Sequence, residues 1–240
     1  MARLHGHRRL PRVVSLAARW ATVTMVASGC VGRIHTIAPE YVGPIPRDSV
    51  AAWAAPFRPM VHLHYDLRWR FENDRGKAAG RGVARFAPPD TLRFDYRGPF
   101  GRAGSALIVG QRAVWSEPEG DIDDLIPVAP VLWAALGIVV PLSDADTVLG
   151  GTTATQEAWR YRRGEEVLDY VHIRTPSPRL LAERRTGGQI LGNVDLALVG
   201  DADGSRVAVM RFARDRATFE LTIRQVDTVA AFPPETWRRP

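Results

Sequence analysis

The chain has 240 residues, enough for one substantial domain, and its 45% hydrophobic and 24% charged content is that of a globular protein rather than a disordered or membrane-filling one. Its formal charge of +6 is unevenly placed: Arg3, Arg8, Arg9, Arg12 and Arg19 lie in residues 1–29 with no acid among them, leaving the rest nearly balanced. A nucleic-acid binder needs a basic footprint in its folded part, so that class is excluded.

The N-terminal segment comes first. Residues 1–12 are rich in Arg and His, Val13–Ala27 is mostly small and apolar, and Val26-Ala-Ser-Gly-Cys30 ends the run. A charged start, a short apolar middle and a small-residue end are the parts of a secretory signal peptide, here residues 1–29. The middle is too short to span a bilayer and is broken by Arg19. Cys30 is the sole cysteine, so no intrachain disulfide can form. Ala27-Ser-Gly-Cys30 resembles the bacterial lipobox, which implies a diacylglycerol (and palmitate) anchor on Cys30. Such an anchor holds a protein at a membrane without spanning it. Val31 in place of an aspartate leans toward the outer membrane. Residues 30–59 then carry Pro39, Pro44, Pro46, Pro56 and Pro59 and read as a tether. Within it, Asp48–Ala55 can form a short helix, capped by Asp48 or Ser49, that lays Trp53 on the domain.

The domain, residues 60–240, opens on Val61–Glu72. Leu63, Tyr65, Leu67, Trp69 and Phe71 alternate with His62, His64, Asp66, Arg68, Arg70 and Glu72. Successive strand side chains face opposite ways, so this is a long strand with one apolar and one polar face. Asn73-Asp-Arg-Gly76 turns the chain into Gly80–Phe86; Thr91–Arg97 alternates again and adds Phe94 and Tyr96 to the apolar face. After Gly98-Pro-Phe-Gly101 come Ser105–Val109 and Ala113–Ser116. Asp121–Leu125 can start a helix, since acids suit the positive helix end. Val128–Gly137 is apolar nearly all round, with Leu132, Trp133 and Leu136 at helical spacing. Ser143–Leu149 reads as a further helix, capped by Ser143 and ended by Gly150-Gly151. Strands resume at 157–162, 167–174, 180–185, 190–199, 206–214 and 217–229, separated by turn chemistry. Ten or eleven strands with helices inserted midway predict a mainly β fold: a single curved antiparallel sheet with one concave face. The apolar helices around 121–150 are the natural plug for that concavity.

Catalytic motifs are missing: there is no Gly-x-Ser-x-Gly, phosphate loop, dinucleotide fingerprint or His-Glu-x-x-His. His62, His64 and Asp66 share one strand face and, with His172, are the minimum for a metal site or an unrecognised enzyme; a solvated sheet face explains them as well. Nothing supports catalysis, a metal or a cofactor.

Leu92-Arg-Phe-Asp-Tyr-Arg-Gly-Pro-Phe-Gly101, Leu136-Gly-Ile-Val-Val-Pro-Leu-Ser143 and Val148-Leu-Gly150 resemble segments of the LolA/LolB lipoprotein-carrier superfamily, and Cys30 resembles the anchor of its LolB branch. The resemblance implies an apolar-lined open barrel under a helical lid, taking acyl chains of lipoproteins handed over by a periplasmic LolA-like carrier. It implies a groove lined by Leu63, Tyr65, Leu67, Trp69, Phe71, Phe94 and Tyr96. Leu132, Trp133 and Leu136 then form the lid, and Phe100 stands where the receptor has a membrane-entering loop leucine. The expected protein is a monomer anchored to the outer membrane and facing the periplasm. The alternative is an anchored assembly protein that docks a partner on the same sheet and fills the groove with its own side chains. An open apolar cavity beneath residues 128–149 favours the first reading, a packed one the second.

Overall fold

Period-two alternation decides the architecture. The computed structural model describes residues 34–99, 102–120, 126–142 and 144–240. Cys30, Phe100, Asp121–Leu125 and Ser143 lie outside the described residues, so the expectations resting on them are untouched by the fold. In chain order the elements are β1 (Gly43–Pro44), α1 (Arg47–Ala54), β2 (His62–Asn73), β3 (Gly76–Ala87), β4 (Thr91–Arg97), β5 (Ala103–Val109) and β6 (Arg112–Glu117). There follow α2 (Ala129–Ala135), β7 (Thr147–Thr152), β8 (Gln156–Arg163), β9 (Glu166–Ile173), β10 (Arg179–Thr186), β11 (Gln189–Ala197), β12 (Arg206–Phe212) and β13 (Thr218–Val229).

All pairings are antiparallel, and the strands make one 13-stranded sheet in the order β1-β7-β8-β9-β10-β11-β12-β13-β2-β3-β4-β5-β6. It is two meanders, β2–β6 and β7–β13, sewn together where β13 pairs with β2 in the register Leu221↔Trp69. The sheet stays open, with β6 at one edge and the short β1 at the other. The connection from β6 to β7 therefore has to travel from one edge almost to the other, and it does so across the apolar face. There α2 packs on β10, β11 and β12 while its Trp133 reaches Phe86 of β3, so the sheet curls round the helix. Register is firm because one face is buried and a slip by one residue would turn the apolar set outward. The aligned row Trp159↔Tyr170↔Ala182↔Val194↔Met210↔Phe219↔Phe71 lines that buried face from β8 to β2.

Three expectations are corrected. Ser143–Leu149 is not a helix: Thr147–Thr152 is strand β7, and Gly150 and Gly151 are inside it rather than ending a helix. Their missing side chains are used for close approach. A Cβ on Gly150 would lie 2.8 Å from the Trp53 ring, and one on Gly151 would lie 2.4 Å from the Tyr41 carbonyl oxygen. Second, α1 starts after Pro46, without a side-chain cap, and Asp48 sits in its first turn, where its charge suits the helix dipole. Trp53 does lie on the sheet, against Gly150. Third, the proline-rich stretch is not a free tether over the residues described. The Thr36 hydroxyl and the Ile37 N–H donate to the two oxygens of buried Glu183, each at 2.9 Å. Asn193 donates to the His35 carbonyl and Arg160 to that of Pro39. Residues 35–39 are thus bound across the outer face of β8–β11.

Candidate functional site

The site begins with the strand faces. On β2, Tyr65, Leu67 and Trp69 are buried and their outward neighbours Asp66, Arg68 and Arg70 exposed, so the alternation has become inside and outside. Phe94 and Tyr96 of β4 are buried beside them, while Leu63 and Phe71 at the two ends of β2 are half-buried. Trp69 stacks on Phe219 with ring centroids 5.9 Å apart and meets Tyr96 edge-on at 6.1 Å. All seven expected groove residues share the covered face.

Sequence reasoning missed the other half of this surface. Trp159, Leu168, Tyr170, Leu180, Ala182 and Leu196, from β8 to β11, are fully buried on the same side. Their signal was the alternation within each strand; which face they joined depended on register with β2, some ninety residues distant.

Onto this bowl comes the segment 126–142. Val128 precedes α2 and Pro130 occupies its first turn, where a missing N–H costs nothing. Gly137, at φ +78°, ends the helix in the left-handed region. Its N–H donates to Ala134 and that of Ile138 to Trp133, the paired bonds of a Schellman stop. Within one turn and its exit, Val131, Leu132, Trp133, Leu136, Ile138 and Val139 are all buried. The three residues expected as a lid are therefore seated as a plug against the sheet.

A few polar contacts hold the plug. The Tyr65 hydroxyl donates to the Leu136 carbonyl at 3.3 Å and that of Tyr170 to Val140 at 3.0 Å. Trp133 Nε1 donates to the Gly110 carbonyl at 2.6 Å, tying α2 to the β5–β6 turn. In that turn Gln111 donates to the Pro141 carbonyl at 3.1 Å and accepts from Arg184 of β10 at 3.2 Å, so one amide links the plug to both halves of the sheet. Arg184 is held in turn by Glu166 at 3.0 Å. Burial pushes the Tyr161 phenol up to about 12, and those of Tyr65 and Tyr170 further in the same direction. At neutral pH the Tyr65 and Tyr170 hydroxyls are donors, as their contacts require. Beside the start of the plug, Ile108, Gln111 and Ala113 face Ile126 and Pro127 across a recess of about 300 Å³.

The histidines do not converge. His62 and His64 share the outward face of β2 with Asp66, and His62 meets Phe232 edge-on at 5.8 Å. His172 follows Tyr170 on the opposite, covered face and packs on Phe57 at 4.9 Å. Among the described residues no group of three His, Cys, Asp or Glu side chains is placed to hold a metal.

An open antiparallel sheet of two joined meanders, wrapped round one apolar helix, is a specific arrangement. It matches the structure of a LolA superfamily protein from Nitrosomonas europaea at a TM-score of 0.52, with 10% identity over 81% of this chain and 98% of that one. The chain has the LolA-like fold. A Vibrio parahaemolyticus domain described as an outer membrane lipoprotein-sorting protein aligns at a TM-score of 0.40, with 8% identity over 79% of this chain and 94% of that one. No protein-family model matches the sequence, and no curated protein does. In this LolA-like chain the covered face of the sheet is occupied by the chain's own helix.

Proposed function

We propose that this LolA-like protein is an envelope lipoprotein that takes acyl chains onto the covered face of its sheet when α2 moves aside. One observation carries the reading: apart from the Trp133 indole N–H and the Leu136 carbonyl, what α2 and its C-terminal end place on that face is apolar, so a hydrocarbon chain can replace most of it. Burying each of Val131, Leu132, Trp133 and Leu136 is worth about 1.5–3 kcal/mol, or about 6–12 kcal/mol together. An acyl chain of about sixteen carbons gains about 0.8 kcal/mol per CH₂, roughly 12 kcal/mol. One chain balances the plug and a second outweighs it, which suits a client carrying several chains.

In this reading residues 1–29 are removed, Cys30 carries the lipid anchor, and the protein sits as a monomer on the periplasmic side of the outer membrane. No helix among the described residues is long and apolar enough to cross a membrane. Leu63, Tyr65, Leu67, Trp69, Phe71, Phe94 and Tyr96 form the acyl-chain groove. Lipoproteins or lipid, delivered by a LolA-like carrier, are the cargo, and Phe100 brings the groove to the bilayer, where an aromatic side chain partitions favourably.

The packing of the covered face favours a second reading, an anchored assembly protein whose sheet docks a partner without carrying lipid. Mass spectrometry of protein purified in mild detergent, before and after adding a diacylated peptide, separates the two. Bound lipid or peptide is expected; an unchanged apo mass in both samples would overturn the carrier reading. Phe100→Glu should fold normally yet fail to pass cargo to vesicles, and equal transfer would remove Phe100 from the mechanism. Cys30→Ala should release the protein from the membrane fraction; unchanged fractionation would rule out the anchor.

A further inference from the structure

The outer face of the same sheet has its own cleft. About 810 Å³ in volume, it lies over β2–β5 and is roofed by the C-terminal residues Glu235 and Thr236. The tail is held there: Arg93 donates to the Thr236 carbonyl at 2.7 Å and to that of Arg238 at 3.1 Å, and the Trp115 indole donates to Trp237. Four carboxylates line the cleft, Asp66, Asp95, Glu117 and Glu235, against five arginines, Arg81, Arg85, Arg93, Arg97 and Arg224. Asp95 is engaged by Arg85, by Arg93 at 2.9 Å and by the Ser105 hydroxyl at 2.6 Å, and Glu117 by Arg239 at 2.9 Å.

Next to this satisfied cluster is an unsatisfied one. Strand register sets Arg68 directly opposite Arg81 and Arg81 directly opposite Arg97, a cross-strand row of three guanidinium groups on one face. Like charges placed directly opposite each other destabilise a sheet. No carboxylate of the described residues lies within ion-pair distance of any of the three. Arg81 and Arg97 line the cleft, and Arg224, thrown outward by the bulge between Ile223 and Gln225, lines it from β13. Neighbouring strands are about 4.8 Å apart, so the row spans about 10 Å. Guanidinium forks match the oxygen geometry of phosphate, which offers acceptors to more than one at once.

We propose that this outer cleft binds a phosphorylated ligand through Arg81, Arg97 and Arg224, with Arg68 extending the row. The span of the row suits two phosphoryl groups better than one. The ligand is a phospholipid headgroup or a soluble phosphate ester. The site is separate from the acyl-chain face and stands whether or not that face carries lipid.

The test uses the full chain and its Arg81→Gln/Arg97→Gln double variant, with Arg75→Gln, on the β2–β3 turn, as control. Pyrophosphate and inorganic phosphate are titrated calorimetrically at low salt, and flotation is measured with phosphatidylglycerol and phosphatidylcholine vesicles. Pyrophosphate is expected to bind more tightly than phosphate, at least tenfold more weakly to the double variant, and equally to the control. A loss of the double variant's preference for phosphatidylglycerol identifies the headgroup as the source; loss of pyrophosphate binding alone identifies a soluble ester. Without ligand the double variant should melt no lower than the parent, because it relieves repulsion. Absence of pyrophosphate and vesicle-dependent effects, or equal binding by parent and double variant, would overturn the proposal. A lower melting temperature of the ligand-free double variant would also overturn it, since the row would then be structural.

Discussion

The Tyr65 hydroxyl donates to the Leu136 carbonyl where α2 ends, 3.3 Å away, joining the first long strand of the sheet to the plug that covers it. The donor is buried, and the acceptor is the residue that caps the C-terminus of α2. Tyr65→Phe keeps the ring and removes this contact. It should cost about 0.5–1.5 kcal/mol in urea unfolding, the usual net value of one hydrogen bond. If the plug moves to admit acyl chains, the variant should also take up a fluorescent fatty acid faster than the parent in stopped flow. Equal uptake rates would separate this contact from opening.

Trp133 is the largest side chain of the plug and is fully buried against Phe86. Trp133→Ala should cost about 3–5 kcal/mol and leave an apolar cavity. A diacylated peptide should then raise the melting temperature of the variant by more than it raises that of the parent, since the hydrocarbon enters a space already vacated. A smaller shift in the variant, read by differential scanning fluorimetry, would show that ligand and indole do not compete for one place.

Alkali should unfold the protein in a defined window. The Tyr161 phenol is raised by burial to about 12, and those of Tyr65 and Tyr170 are raised as well. A raised folded-state value means that the neutral form is favoured by folding. The corresponding stability is complete below about pH 10, where unfolded tyrosine titrates, and is lost as pH rises toward 12 and beyond. Absorbance at 295 nm should show these phenols ionising together with the loss of β-sheet circular dichroism. Ionisation well before unfolding would contradict their burial.

Glu183 is wholly buried and accepts from Thr36 and from the Ile37 N–H, so it pins the N-terminal segment to the outer face of β10. Glu183→Gln removes the charge from both bonds and from its ion pair with Arg185 at 3.2 Å. Hydrogen bonds to charged groups are worth about 1.5–3 kcal/mol, and a loss on that scale is expected. Limited proteolysis should cut near residues 35–40 in the variant before any cut in the sheet; an unchanged cleavage pattern would show that Asn193 and Arg160 hold the segment alone.

Much of the fold is legible in single strands. His62–Asn73 announces both its length and its faces, because a half-buried strand writes its environment in alternate residues. Strand β7 is not legible in that way: Val148-Leu149-Gly150-Gly151 resembles a capped helix end, and only the arrival of Trp53 and Tyr41 explains its glycines. The plug was visible as an apolar helix. Its latches were not, since Gly110, Gln111 and Arg184 meet only after the sheet has curled. The arginine row is the extreme case. Arg68, Arg81 and Arg97 are ordinary outward residues on three separate strands, and their opposition exists only in the register between them.

The seam between β13 and β2 sets the order in which the molecule can be made. β2 is among the first strands of the sheet to be synthesised, and β13, its partner across the seam, is the last. Until then the β2–β6 meander exposes a twelve-residue edge of unpaired backbone, bearing Leu67 and Trp69, to any neighbouring chain. Loop closure over most of the chain length is slow as well. The final strand is therefore the step that commits the protein to its native form, and losing it would leave two separate half-sheets, each prone to aggregate.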